Sequence, residues 1–448
     1  MYTNIRRADM PPKRRKEYLM ARFKKIICFA LAAVMALGTL CACSSIDDTD
    51  PQTATTTSES VTDTPATDVT SQTDTPAETQ PIAEPENWSY DFGWEFISEN
   101  GLQYIWDRLD EDTRMNLGEV MNAIRDVQMY CPLTVGVPRD EAEKFLELVS
   151  NCSMFYTYAS NSFGLHTDEN GIVKGVTLNY LVNYESEAAQ RCEELEAKLQ
   201  EIIASAPTDN EFDRIRYLHD YLVLNCDYGE DAISPFSAYG AIVEGIATCQ
   251  GYADGMHLLL TRAGFETAYA IGQGTDTDVK HKWNYVKCED GHWYVIDPTW
   301  DDPENKDDPD YIGYDYLLVS DDMLLKDHAT KFDSDYYEVP VADSMDMNFH
   351  IMVGYYTDDP DEAYEILLNQ AIEAARDGRI YLYLRSSTGD AIDNIYTELT
   401  SGTAGDNKIQ DIIKQANETA GTNYDSTSWL KSLNTNIGTL TLTLKDAE

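Results

Sequence analysis

The chain has 448 residues, of which 43% are hydrophobic and 11% aromatic, and a formal net charge of −46. That length exceeds one ordinary core, so two or three domains are expected. Residues 1–43 hold nine of the 33 basic residues and two of the 79 acidic ones, leaving the remainder near −53. So acidic a surface excludes nucleic acid and anionic lipid as charge-driven partners, because it has no basic patch to release counterions.

In residues 1–43, Arg22, Lys24 and Lys25 precede an apolar run from Ile26 to Leu40. The run is short for a membrane span and has the length of a signal-peptide core. It ends in Leu40-Cys41-Ala42-Cys43, which resembles the lipobox of bacterial lipoproteins. The expectation is an exported protein anchored to the outer face of the membrane by lipid on Cys43, with an uncleaved N-terminal anchor as the alternative. The residues before Met20 do not look like a signal, which makes Met20 a candidate start. Residues 44–86 are Thr, Ser, Pro, Asp and Glu, with no Lys or Arg and almost no large apolar side chains. Such a stretch cannot repay its ordering entropy and reads as a disordered linker.

Residues 87–205 read as an α+β unit. Apolar residues recur at helical spacing over 94–109, 117–128 and 139–149. Residues 155–158 and 172–184 suit a hairpin around turn residues 168–171, and a long acidic helix is predicted over 186–204. Residues 206–340 carry the chemistry. Residues 345–448 read as a small α/β domain, with strands over 347–356, 379–384 and 438–444 and helices over 360–376 and 409–418.

Nine cysteines are present. Beyond Cys28 and Cys41 in the signal, Cys43 and Cys249, there remain Cys131, Cys152, Cys192, Cys226 and Cys288. None pairs at metal-ligand spacing, so no metal or cofactor is expected. One disulfide, such as Cys131–Cys152, stays open.

Thr248-Cys249-Gln250-Gly251-Tyr252-Ala253 precedes an apolar stripe of Tyr252, Met256, Leu259, Leu260 and Ala263, and Gly264 stands where a helix ends. Cys249 is thereby placed at a helix N-terminus, whose free N–H groups would stabilise a thiolate and a developing oxyanion. An isolated cysteine is more often a small buried hydrophobe. The downstream pattern overrides that reading here. Residues 280–287 and 291–297 read as a hairpin around Glu289-Asp290-Gly291. A three-residue loop with left-handed Gly291 pairs Cys288 with His292. Counting back, Trp283 faces Asp297, and His281 becomes its diagonal neighbour on the same face, within side-chain reach. A two-residue loop would send Asp297 to the opposite face. Asp297 would then orient His281, and His281 would take the thiol proton of Cys249.

Three ordered blocks, Cys249-Gln250-Gly251-Tyr252-Ala253, His281-Lys282-Trp283-Asn284 and Asp297-Pro298-Thr299-Trp300-Asp301, make residues 216–303 resemble the transglutaminase-like (papain-like cysteine triad) core superfamily, bacterial lipoprotein type. The resemblance implies a Cys-bearing helix packed on an antiparallel sheet that carries His and Asp. It also implies a second oxyanion donor, for which Tyr228 is the candidate. Trp283 and Trp300 are candidate cleft walls, with plain core packing an equal alternative. His219 and His257 read as structural, His292 as a solvent-facing residue beside the hairpin turn, and His328 as a residue that could pack near the site. The acidic run 301–310 lacks calcium-loop alternation and reads as a solvated loop.

The functional expectation is a cysteine enzyme that attacks amide bonds through a thioester, as peptidase or amidase rather than crosslinking acyltransferase. Its substrate would be an extracellular or envelope protein or peptide. The alternative is a non-catalytic cell-surface module that binds a peptide or glycan. A further reading makes residues 87–205 an inhibitory prosegment.

Overall fold

The computed structural model describes residues 96–97, 99–275, 279–302, 311–330, 337–402 and 406–447. Cys43, the signal segment, the 44–86 linker and positions 303–310 of the acidic run lie outside the described residues. The fold is α+β, with helices flanking three antiparallel sheets and one short parallel pair.

Helix α1 (Glu111–Arg125) starts at Asp110, whose carboxylate accepts the Thr113 N–H at 2.8 Å. Upstream, the helix predicted over 94–109 is broken at left-handed Gly101: residues 96, 97 and 99 are helical before it, and Gln103–Trp106 form a separate helical turn after it. Strands β1 (Tyr130–Pro138), β2 (Ala159–Thr167) and β3 (Ile172–Tyr180) make a sheet in the order β1-β3-β2, with helix α2 (Ala142–Cys152) between β1 and β2 in sequence. The predicted hairpin exists, but its first strand begins at Ala159. Residues 155–158 are instead a turn, closed by Tyr156 N–H to Ser153 O and Ala159 N–H to Tyr156 O. Strand β1 escaped notice because Pro132, Gly136 and Pro138 interrupt its pattern. As an edge strand with a register shift between Pro132 and Val137, it tolerates them. The open Cys131–Cys152 disulfide does not form: all six described cysteines are free, and Cys152 Sγ lies 3.8 Å from the Tyr269 hydroxyl.

Helix α3 (Glu185–Ala204) buries Leu195, Leu199 and Ile202. Helix α4 (Glu211–Asn225) is capped by Asn210, which accepts the Asp213 N–H at 3.0 Å. Strands β4 (Asp227–Tyr228) and β5 (Ile246–Ala247) pair in parallel and lead into helix α5 (Cys249–Arg262).

The central sheet contains β6 (Glu266–Gly274), β7 (Lys280–Lys287), β8 (Trp293–Ile296), β9 (Leu317–Val319) and β10 (His328–Thr330), in the order β10-β6-β7-β8-β9. Helix α5 packs on the face that carries Lys282 and Asn284. Asn284 Nδ2 donates to Ala253 O at 3.0 Å, and Lys282 forms a buried ion pair with Asp254. One apolar core runs from Phe96 to Phe349, across both α1–α3 and the central sheet.

The C-terminal layer has helices α6 (Pro360–Asp377), α7 (Gly389–Thr400) and α8 (Lys408–Ala420) on a sheet ordered β11-β13-β12. Its strands are β11 (Tyr381–Arg385), β12 (Tyr424–Asn434) and β13 (Thr439–Asp446), and Leu367, Leu382, Ile392, Ile412 and Leu442 fill its own core. The strand predicted over 347–356 is absent. Asn348 caps a single helical turn, Phe349–Met352, and Tyr356 meets Arg385 in one isolated bridge.

Candidate active site

Thr248 has extended backbone and is the N-cap of α5, which makes Cys249 the first helical residue. The Thr248 N–H donates to Pro235 O at 2.9 Å, pinning the helix start to the 235–237 loop. Gly251 is required by that approach: a Cβ there would lie 2.6 Å from Pro235 O and 2.7 Å from the Ala247 Cβ. Cys249 is partly exposed, and its Sγ lies 3.8 Å from the carbonyl of Lys280.

The hairpin has the three-residue loop that the parity argument demands. Gly291 is left-handed at φ 87°, the Cys288 N–H donates to His292 O at 3.0 Å, and Lys287 pairs with Trp293 through to Asn284 with Ile296. His281 and Asp297 therefore meet. His281 Nε2 hydrogen-bonds Asp297 Oδ2, and both side chains are buried. With Nε2 engaged, Nδ1 is the nitrogen left for Cys249.

Asp297 is positioned by the residues that follow it. Its Oδ1 accepts the Thr299 N–H at 3.0 Å and the Trp300 N–H at 3.3 Å. This turn brings Asp301 back into the core, where it accepts from the Tyr316 N–H at 3.0 Å and meets His219 Nε2 at 3.2 Å. Asp302 is also buried and accepts from the Tyr252 hydroxyl. The acidic run thus begins as interior structure, correcting the solvated-loop expectation at these two positions. The turn needs a carboxylate at each point where it re-enters the core.

Sequence reasoning undervalued His328. Its Nε2 reaches Asp297 Oδ2 at 3.2 Å, and its Nδ1 reaches Asp327 Oδ1 at 2.8 Å. Asp327 in turn accepts from the Tyr316 hydroxyl at 2.6 Å, and Trp300 lies over the His328 ring with centroids 3.9 Å apart. The only signal was Asp327-His328 at the start of a three-residue strand, remote in sequence from the three motif blocks.

Charge ordering follows from burial and contact. Burial alone would lower the His281 value, but the Asp297 charge and hydrogen bond, with Cys249 adding to them, raise it to about 10. Burial opposes ionisation of Asp297, yet His281 and His328 hold its carboxyl well below the usual carboxylate range. Burial likewise opposes protonation of His328, and its two aspartates raise its value nonetheless.

The remaining candidates separate. Trp283 is fully buried behind His281, 5.8 Å between ring centroids, so it supports the imidazole and does not wall the cleft. Its strand position, pointing into a closed apolar cluster with Tyr285, Val295 and Tyr316, decides this. Trp300 is 37% exposed and borders the site. Tyr228 is exposed on β4, pairs with Ala247 and packs its ring 6.4 Å from Tyr252. His257 is buried against Asn100 O at 2.9 Å, and His292 pairs with Asp343 at the surface. The ligand-capable atoms of His281, Asp297 and His328 lie within 4.8 Å of one another. Here those atoms are engaged in the two bonds to Asp297 Oδ2.

Residues 197–298 match the family described as the transglutaminase-like superfamily. This stretch is a transglutaminase-like core. It begins inside α3 and ends one residue past Asp297, so all three motif-bearing elements start within it. Among solved structures, the chain is similar to a protein named TGase (13% identity, TM-score 0.22, 38% of this chain and 51% of that one). It is also similar to a candidate cysteine protease of Cytophaga hutchinsonii (13%, TM-score 0.22, 39% and 66%) and to menin (11%, TM-score 0.24, 74% and 61%). The chain thus spans between 51% and 66% of the length of these neighbours. No curated protein matches it.

Proposed function

We propose that the chain is a lipid-anchored, outward-facing cysteine enzyme that attacks amide bonds, with Cys249 as nucleophile, His281 as base and Asp297 as orienting carboxylate. The observation that carries this reading is the placement of Cys249 at the first turn of α5, beside a His281 whose second nitrogen is held by buried Asp297. With its proton held on His281 Nδ1 as an imidazolium that Asp297 stabilises, Cys249 attacks the amide carbonyl carbon as the thiolate. The amide N–H groups opening α5 have no intrahelical acceptors and face the developing oxyanion. Collapse breaks the C–N bond, His281 returns the proton to the leaving amine, and a thioester remains on Sγ. His281 then deprotonates water, giving an acid and free thiol, or an amine, giving a new amide.

Hydrolysis is the outcome we favour, on an extracellular or envelope protein or peptide. The test uses residues 87–448 with cell-envelope extract and a fluorescent amine. New fragments without amine incorporation support a peptidase or amidase, and incorporation supports acyl transfer. If Cys249→Ala leaves both readouts unchanged, the enzymatic reading is wrong.

A further inference from the structure

A cavity of about 270 Å³ reaches Gln250, the residue that follows the candidate nucleophile in α5. Met154, Tyr156 and Ala159 line it from one segment, Ile233 and Phe236 from another, and Gln250 completes the lining. Both segments are tied to the thiol. The Ile233 side belongs to the loop whose Pro235 carbonyl accepts the Thr248 N–H. The other side belongs to the unit whose Glu147 binds Lys280 Nζ at 2.9 Å, and the Lys280 carbonyl is the group 3.8 Å from Sγ. A shift of either segment therefore moves something that touches Cys249.

The lining is apolar and serine-rich. The one carboxylate in it, Asp254, is buried and paired with Lys282 and offers no free charge. In so acidic a chain, a pocket without a free carboxylate selects against cations as well as anions. Ile233 is 69% exposed at the cavity, and Leu181, which also lines it, is 44% exposed. Leaving large apolar side chains in water at one spot is costly unless something covers them. The volume is below that of a drug-sized ligand site and suits one large side chain.

We propose that this cavity is a specificity pocket that receives a large apolar side chain of the polypeptide substrate near the amide attacked by Cys249. The assignment rests on the thiol reading above and deepens it. It makes residues 87–205 part of the substrate site and not an inhibitory cover.

The test measures labelling of Cys249 in the 87–448 protein by the chloromethyl ketones of N-acetyl-leucine, N-acetyl-phenylalanine and N-acetyl-aspartate. In each case the thiolate displaces chloride from the methylene carbon. Iodoacetamide, which has no side chain to seat, gives the reference rate for every protein variant. Relative to that reference, the leucine and phenylalanine reagents should react about 10- to 100-fold faster than the aspartate reagent. Ile233→Asp, at the exposed mouth, and Ala159→Phe, filling the cavity, should each abolish that advantage. Equal ratios for the three reagents, or an undiminished preference in both variants, would overturn the pocket. A Cys249 no more reactive to iodoacetamide than Cys192 would instead overturn the thiol reading and the pocket with it.

Discussion

The substitution Asp297→Asn isolates the charge and acceptor pattern of the triad from its shape. Asn keeps an oxygen for the Thr299 and Trp300 amides, so the turn after β8 persists. It places an NH₂ where Oδ2 meets His281 Nε2 and His328 Nε2. Two donors facing that group force both imidazoles to accept at Nε2 and to carry their proton on Nδ1. His328 tolerates this, because its Nδ1 already faces Asp327 Oδ1 at 2.8 Å. His281 does not, because its Nδ1 must be free to take the thiol proton. The substitution also removes the carboxylate of a buried ion pair, which costs about 3–5 kcal/mol of stability and is read separately in the unfolding transition. With His281 held in the wrong tautomer its acid–base contribution is lost, and kcat should fall by about 10²- to 10⁴-fold. Hydrolysis of p-nitrophenyl acetate, measured alongside thermal unfolding, provides the assay. A loss under threefold in a folded protein would refute both the tautomer argument and the assignment of Asp297.

Three further outcomes are expected. His328→Ala removes one charge-assisted hydrogen bond from Asp297, worth about 1.5–3 kcal/mol, so kcat should fall roughly 10- to 100-fold with KM little changed; His328→Gln should recover part of it, and a pure KM effect would contradict the positioning role. Lys282→Met strands buried Asp254 and should destabilise the fold by about 3–5 kcal/mol, whereas Lys282→Met with Asp254→Leu should regain most of that in chemical denaturation. Burial would lower the His219 value, but Asp220 and Asp301 raise it to about 9, above its unfolded value, so its stabilisation is full below about pH 6.5 and fades as pH rises through about 9. The melting temperature should therefore drop between pH 7 and 10, less steeply in His219→Gln; parallel profiles would exclude the linkage.

Much of the site was legible because local rules fix it. A Gly that permits close approach, a cap position and an odd loop length are written in consecutive residues. Together they determine where Cys249, His281 and Asp297 point. What escaped depends on contacts remote in sequence. His328 reaches Asp297 because β10 pairs with β6 at the sheet edge, His328 opposite Gly274, and nothing in three residues announces that pairing. The burial of Trp283 likewise depends on which elements cover its face of the sheet. In the C-terminal layer, α6, α8 and β13 carried their periodicity openly. Strand β12, mostly half-buried and interspersed with polar residues, had no such stripe to read.

The C-terminal layer also bears on the site. Arg385, on β11 and fully buried, donates through Nη2 to Asp315 O at 2.7 Å, and the Tyr383 hydroxyl donates to Ile312 O at 2.8 Å. Tyr314 stacks on Phe349 with centroids 3.7 Å apart. These contacts grip residues 312–315 from one side. The next residue, Tyr316, then uses its N–H on Asp301 and its hydroxyl on Asp327. Asp327 holds His328, and His328 holds Asp297. Buried carboxylates are tolerated only when paired and hydrogen-bonded. Asp297, Asp301 and Asp327 meet that condition through His281, His219 and His328. An intensely acidic chain thereby keeps a locally balanced interior around the one carboxylate that the proposed chemistry needs ionised. The ionised state of Asp297 thus rests on a network whose outer end is clamped by a layer that contributes none of the three triad residues.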